Sequence, residues 1–357
     1  MFSALIGPFL TLILMGYAFG GTIAHVPVAV VSFSDGRYSS AYLDLVRLEQ
    51  NCAFGGVSCN DAFRLQNFPD LESAERVLRE GQVKAIIYVP SGFDAALSNS
   101  ANVFVTIYLD NTDPLSSSAV YAGLVRASQQ LSGQIRVVSG QGGSITVDQA
   151  NFYRNVLYIE FMAPGTLVQA IFIASIIGGG ISILIDKQRG IFEGYLVTPL
   201  KQYEIIVGVL LAGVVKAMFS SLTMLFMAII FAGVRPMTDA VGFLLMLFTI
   251  FLTGLGLISM MTAFAVRAPA PEVYQFTAFP INMILYFTSG AIYPIEGFPD
   301  WMRSIAVVNP EAYAVHALRL LMYKGASVTA VLGDFAFLTV FTAAMVGLAT
   351  VAFRRRL

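Results

Sequence analysis

Charge is scarce in this chain. Only 12% of its 357 residues are Asp, Glu, Lys or Arg, about half the share usual in a soluble domain. The formal net charge is −1, so the basic face that a nucleic-acid partner requires is missing. Histidine is rarer still. His25 and His316 stand far apart in sequence, and no His/Cys/Asp/Glu grouping has metal-ligand spacing. No G-x-S-x-G elbow, H-E-x-x-H pair or paired-carboxylate site occurs, which leaves an enzyme reading without residues to rest on. The phosphate-cradling G-x-x-x-x-G-K-[ST] is also absent. What fills the space is apolar. The hydrophobic share is 57% and the mean hydropathy +0.73, values of an integral membrane protein.

A membrane-crossing helix needs about 20 mostly apolar residues to traverse about 30 Å of hydrocarbon. Roughly six runs qualify: Phe2–Ala24, Met162–Ile185, Ile205–Val234, Ala240–Val266, Val273–Ile292 and Val328–Phe353. The third contains Lys216 and the fifth Pro280. A secretory signal peptide is the rival reading of the first run, but it has no basic n-region. Basic residues set the orientation. Lys187, Arg189, Lys201, Arg267 and the tail Arg354, Arg355 and Arg356 fall on one side, the expected cytoplasmic side. Arg235 and Arg303 fall on the other, diluted by Asp239, Glu296, Asp300 and Glu311.

Residues 26–155 have the polarity and size of a soluble domain. Val26–Phe33 reads as a buried strand, and Val83–Pro90 and Asn102–Asp110 as further strands. Asp70–Gly81 reads as an amphipathic helix with a glycine after its end, and Asp113–Val138 as a long helix opened by Pro114. Strands alternating with helices predict an α/β domain outside the membrane. Ser139–Ser144 reads as a flexible link back to the membrane. Residues 151–165 mix aromatics with Arg154 and Glu160, a composition suited to the outer interface ahead of the second span. The predicted organisation is therefore a first transmembrane helix at 1–25, an extracytoplasmic α/β domain at 26–155 and a five-helix transmembrane domain at 156–357.

Several residues invite a functional reading. Cys52 and Cys59 bracket a glycine-containing loop in the external segment. A disulfide is the favoured reading there, and two free thiols packed as small hydrophobes the alternative. Lys216 inside a span is costly, and such a lysine faces protein, water or a snorkelling route. Ser220 and Thr223 follow it, and Asn282 adds an amide to the fifth run. These four are candidate pathway-lining residues, with hydroxyl-mediated helix packing as the plain alternative. Ile176–Ser182 and Thr253–Ser259 place small residues where helices can approach closely. Leu131–Gln134 reads LSGQ, a fragment of the signature loop of ABC ATPases. Without a phosphate-binding loop, and in an external domain, it is a chance match.

The stretch DKQRGIFEGYLVTPL, residues 186–200, interrupts the apolar half of the chain. Asp186 to Arg189 form a charged start and Gly190 a break. Ile191, Phe192, Tyr195 and Leu196 then make a helical apolar stripe that Thr198-Pro199 ends. Such a helix lies on lipid or docks in a partner's groove. Glu193 and Lys187 beside the stripe favour the partner.

With the following residues this segment resembles the cytoplasmic loop of ABC type-2 exporter permeases, which carry a charged run, G-T-x-E, a hydrophobic pair and T-P. Gly190, Glu193, Leu196, Val197, Thr198 and Pro199 match, and Ile191 replaces the threonine. Tyr286–Arg319 is similar to that family's fifth span and re-entrant external hairpin. Ser289, Gly290, Pro294, Phe298, Pro299, Trp301, Asn309, Pro310, Tyr313 and Arg319 match there. Prolines spaced this way break helices, which membrane depth tolerates only where protein or water covers the backbone. Members of that family begin with a basic cytoplasmic helix, whereas Met1 here stands at the edge of the first apolar run.

The resemblance implies a six-helix polytopic permease with an inserted external α/β domain and a re-entrant segment at 293–319. It implies that the helix at 186–199 couples to separate ABC ATPase subunits through Asp186, Lys187, Arg189, Gly190, Glu193, Leu196, Thr198 and Pro199. ATP and Mg²⁺ are expected on those subunits, with no cofactor or metal on this chain. A second permease copy or homologue and membrane lipid complete the expected partners. Amphiphilic cargo would leave across the cytoplasmic membrane of a bacterium or archaeon. A membrane-anchored sensor or scaffold with an external ligand-binding domain is the alternative.

Overall fold

The structure is a computed structural model that describes residues 23, 25–52, 59–139, 143–191, 194, 202–231, 233–236 and 238–354. The chain divides into two compact units. A helical unit holds Met162–Ile292 and Asp300–Leu357, and an α/β unit holds Tyr17–Phe161 together with Tyr293–Pro299. The sequence reading places the boundary at 155/156 and assigns no part of the later hairpin to the α/β unit.

The α/β unit runs β1 (Val26–Ser32), α1 (Arg37–Leu48), β2 (Gln50–Cys52), β3 (Cys59–Asp61), β4 (Phe63–Asn67), α2 (Leu71–Arg79), β5 (Ala85–Val89), α3 (Phe93–Ser98), β6 (Val103–Leu109), α4 (Pro114–Ser139) and β7 (Ile145–Asn151). Strand order is β4-β1-β5-β6-β7. β1 pairs in parallel with β4 (Val26 opposite Phe63) and with β5 (Val28 opposite Ala85). β5 and β6 are antiparallel, and β6 and β7 parallel. The apolar run of β1 suits a strand covered on both faces. Val28 and Val30 pack with Tyr42, Ile87, Phe93, Ile107 and Leu124 on one side. Ala29 and Val31 pack with Ala74, Leu78 and Ile86 on the other. Helix α2 starts where the Asp70 side chain accepts from the Ser73 amide at 2.7 Å.

One expectation needs correction here. Ser139–Ser144 does not lead back to the membrane, because β7 follows it and joins the sheet beside β6. That strand's sequence, ITVDQAN, is mostly polar and exposed, as fits an edge strand with one wet face, so it carries no strong apolar signal. The short α1, β2, β3, β4 and α3 also lie in stretches that the sequence reading leaves undivided.

The helical unit contains α5 (Tyr158–Ser175, its first turn in the α/β unit), a π-helical segment (Ile176–Ile181) and α6 (Ser182–Gln188). α7 (Gln202–Phe231), α8 (Ala240–Arg267) and α9 (Pro271–Thr288) follow. After the hairpin come α10 (Asp300–Val308), α11 (Pro310–Tyr323) and α12 (Val328–Arg354). Among the described residues four stretches are long and apolar enough to cross a membrane: Tyr158–Gln188, Glu204–Phe231, Ala240–Arg267 and Val328–Ala352. They correspond to the second, third, fourth and sixth predicted runs. The fifth run is helical as α9 but carries Glu272, Gln275, Pro280 and Asn282, and it is not among the four. The first run lies outside the described residues except for Ile23.

Candidate functional site

The π segment interrupts the helix that leads to residue 186. In it Gly178, Gly179 and Gly180 are all buried. A Cβ on Gly180 would fall 2.0 Å from the Tyr274 phenol, and one on Gly179 would fall 2.7 Å from the Ile258 carbonyl oxygen. Only glycine lets α8 and α9 come this close. A π turn moves backbone carbonyls out of the i→i−4 ladder, so they need other donors. Tyr274 donates to the Ile176 carbonyl at 3.1 Å, and Thr262 to the Gly179 carbonyl at 2.9 Å. Ser182 closes the Ile177 carbonyl at 3.0 Å. The sequence reading finds only small residues here. Two of the three hydroxyls that fix the geometry, those of Thr262 and Tyr274, come from positions about 80 to 100 residues away.

Helix α6 ends at the charged run. The Arg189 amide donates to the Ile185 carbonyl at 2.9 Å and the Gly190 amide to that of Lys187 at 3.2 Å. Gly190 has φ +72°, a left-handed stop that a side chain would disfavour. Asp186 and Lys187 are half-buried, and Lys187 donates to the Val266 carbonyl at 3.3 Å in the last turn of α8. A cation there suits the negative end of that helix. Arg189, Gly190 and Ile191 are exposed. Glu193, Leu196, Thr198 and Pro199 lie outside the described residues.

Of the candidate pathway residues, Lys216, Ser220 and Thr223 share one face of α7 by their i, i+4, i+7 spacing. Lys216 and Thr223 are exposed and Ser220 is half-exposed. Asn282 is not part of that stripe. It is buried and exchanges two amide hydrogen bonds with Gln169 of α5, at 3.1 and 3.2 Å. Such a reciprocal pair satisfies both amides and fastens α9 to α5, worth about 1–2 kcal/mol in a bilayer.

The hairpin residues make a second cluster. Asn309 donates to the Leu285 carbonyl at 2.6 Å and the Thr288 hydroxyl at 2.9 Å, while its oxygen accepts from the Glu311 amide at 2.9 Å. It therefore ties the end of α9 to the start of α11, where Pro310 takes the first-turn position that needs no N–H. Ser289 donates to Tyr286, and Arg319 reaches the Gly290 carbonyl at 2.9 Å. Tyr313 donates to the Val307 carbonyl and stacks on Phe337, centroids 3.8 Å apart. Trp301 is exposed, as an interface anchor requires. Pro294 and Pro299 fall in the segment that belongs to the α/β unit. There Tyr293 packs on the larger core, and Lys84 stands 3.5 Å from Glu296 and 3.7 Å from Asp113. Burial, then the charge of Asp113, raises the pKa of the Tyr293 hydroxyl.

Other ionic groups escape sequence reasoning as partners. Arg154 holds the buried Glu160 through two hydrogen bonds of 3.0 and 3.3 Å. His316 meets Asp334 at 2.8 Å between α11 and α12. Glu311 is fully buried, and neither carboxyl oxygen has a hydrogen-bond partner among the described residues. Cys52 and Cys59 stand opposite each other across the β2–β3 pair. Among the described residues no His/Cys/Asp/Glu group is placed to hold a metal ion.

A sequence profile described as ABC-2 family transporter protein matches residues 1–351. The chain belongs to this family. It is similar to ABC transporter G family member 20 of Dictyostelium discoideum, 22% identical over 340 residues, covering 90% of this chain and 43% of the relative. It also resembles the probable multidrug ABC transporter permease YbhR of Escherichia coli, 24% identical over 207 residues, 58% of this chain and 55% of YbhR. YbhS of the same organism is 23% identical over 290 residues, covering 78% and 75%. The chain thus spans about half the length of the first two relatives. It is a multi-pass membrane protein of the ABC transporter permease type.

Proposed function

We propose that this chain is the permease subunit of an ATP-driven exporter whose ATPase is a separate polypeptide. One observation carries the reading: the family match spans the chain and includes the charged break at residues 186–199 between two membrane-spanning helices. In this reading the break lies in the cytoplasm, on the side where Lys187, Arg189, Lys201 and Arg267 accumulate. It docks on the ATPase through Asp186, Lys187, Arg189, Gly190, Glu193, Leu196, Thr198 and Pro199. ATP and Mg²⁺ bind the partner alone. Two permeases, identical or homologous, stand with two ATPases. ATP binding draws the ATPases together, and α6 with the π segment carries the displacement into the membrane. Amphiphilic cargo enters between the permeases from the inner leaflet and leaves outward across the cytoplasmic membrane of a bacterium or archaeon. The α/β unit lies outside, with the hairpin at 293–319 near the exit.

Glu193→Arg in the reconstituted complex tests the reading. Docking at this segment requires cargo-stimulated ATP hydrolysis to fall about tenfold or more, the equivalent of one lost charged contact. Unchanged stimulation would remove the segment from the coupling path.

A further inference from the structure

Lys216 sets the chemistry of what the membrane face of α7 must meet. It stands midway along α7 (Gln202–Phe231), about 20 Å of helix from either end at a rise of about 1.5 Å per residue. A bilayer's hydrocarbon half-thickness is about 15 Å, so the residue lies near the middle of the span. A lysine stem falls well short of that distance, which limits snorkelling. The side chain is exposed, and no ion pair or hydrogen bond reaches it from the described residues. Its stem passes Gly178 of the π segment, with Cδ 3.8 Å from where a Cβ there would stand, and Phe219 on the same face of α7 is exposed. Ser220 and Thr223 continue a polar stripe from it along the same face. A cation left bare in hydrocarbon is expensive, so an anion or water must face it.

A second copy of this chain does not supply that anion. Residues 1–22 contain no Asp or Glu. Asp186, Glu204, Asp239 and Glu272 stand at helix ends. Glu311 is fully buried, and Asp334 is buried and held by His316. Glu193 lies in the polar break between spans.

We propose that the Lys216 face of α7 receives the anionic head of an amphiphile, so that the cargo carries a phosphate, sulfonate or carboxylate beside its apolar tail. This deepens the exporter reading and rests on it. Lys216 is the counter-ion, Ser220 and Thr223 offer hydroxyls to the remaining head-group oxygens, and the exposed apolar side chains of α7 take the tail.

The test uses the full chain in phosphatidylcholine nanodiscs and two fluorescent probes with the same dodecyl tail, one ending in phosphate and one in trimethylammonium. Wild type is expected to bind the phosphate probe at least about tenfold more tightly, the worth of one charge-assisted pair. Lys216→Arg keeps that preference and Lys216→Gln abolishes it. Equal affinity of wild type for the two probes overturns the proposal without any variant. So does a preference that survives Lys216→Gln, or phosphate binding absent because another polypeptide's carboxylate already occupies Lys216. The exporter reading is scored separately, by whether an ATPase subunit copurifies with the chain. Anion preference in a preparation without an ATPase supports the site and counts against the exporter.

Discussion

Asp94 holds the start of α1 from a different helix. Its carboxylate accepts from the Ser34 hydroxyl and the Tyr38 amide at 2.6 Å each, and more distantly from the Ser39 amide. Burial pushes its pKa up, but the bonds from Ser34, Ser39 and Tyr38 outweigh that and leave it below the usual range. Because the folded value lies below the unfolded value of about 3.9, the contribution to stability is complete above that pH. It is lost as pH falls through the folded value. Thermal melts of the full chain are expected to show an acid-side loss that Asp94→Asn removes, at the cost of lower stability at pH 7. An Asp94→Asn profile parallel to wild type would deny the carboxylate this role. Asn309 makes an independent case. Asn309→Ala removes three hydrogen bonds inside the helical unit, and a loss of about 2–4 kcal/mol is expected, visible as a lower melting temperature in detergent. The Asn-Pro pair was readable through the family resemblance, and the cap it makes on α11 emerged only in the structure. The partners of Lys84, Arg154 and His316 were not readable, because an ion pair depends on which distant element the fold brings near. Glu311 had no local signature either, since the residue three places after Val308 reads as an ordinary first-turn acid.

At the scale of elements, four of the six apolar runs announced helices long and apolar enough to bury themselves in lipid. They gave no sign of the π segment, whose glycines also fit a plain α-helix packed closely. Its hand-off of carbonyls to Thr262 and Tyr274 makes a specific demand. Gly180→Ala sets a methyl against the Tyr274 ring, and folded yield by size-exclusion chromatography is expected to drop sharply. Shortening the ring with Tyr274→Ala in the same chain is expected to restore part of that yield. If Gly180→Ala is tolerated alone, the close approach is not required. The β2–β3 pair sets the backbones of Cys52 and Cys59 opposite each other, and the disulfide stays a proposal for peptide mapping. Peptide mapping without reductant is expected to find the two cysteines linked, and two free thiols would remove the bridge. These strands were not legible in advance because each has only three residues.

The whole molecule combines two kinds of burial. The α/β unit covers an apolar sheet on both faces, and the helical unit leaves apolar side chains such as Phe219, Phe226 and Phe276 exposed for lipid or another chain. The chain leaves the helical unit after Ile292, contributes Tyr293–Pro299 to the α/β unit and returns at Asp300. The family resemblance marked that stretch as a hairpin. Its attachment to the sheet's core through Tyr293 and Lys84 appears only in three dimensions. Transport by the proposed mechanism depends on which side of the membrane the break at residues 186–199 faces. The most direct measurement is labelling by a membrane-impermeant maleimide of single cysteines at Arg189 and, in the α/β unit, at Ser91, with Cys52 and Cys59 replaced by alanine. Labelling at 189 only in inverted vesicles, and at 91 only in right-side-out vesicles, is the expected result. Reaction at 189 from the outside would contradict docking on a cytoplasmic ATPase.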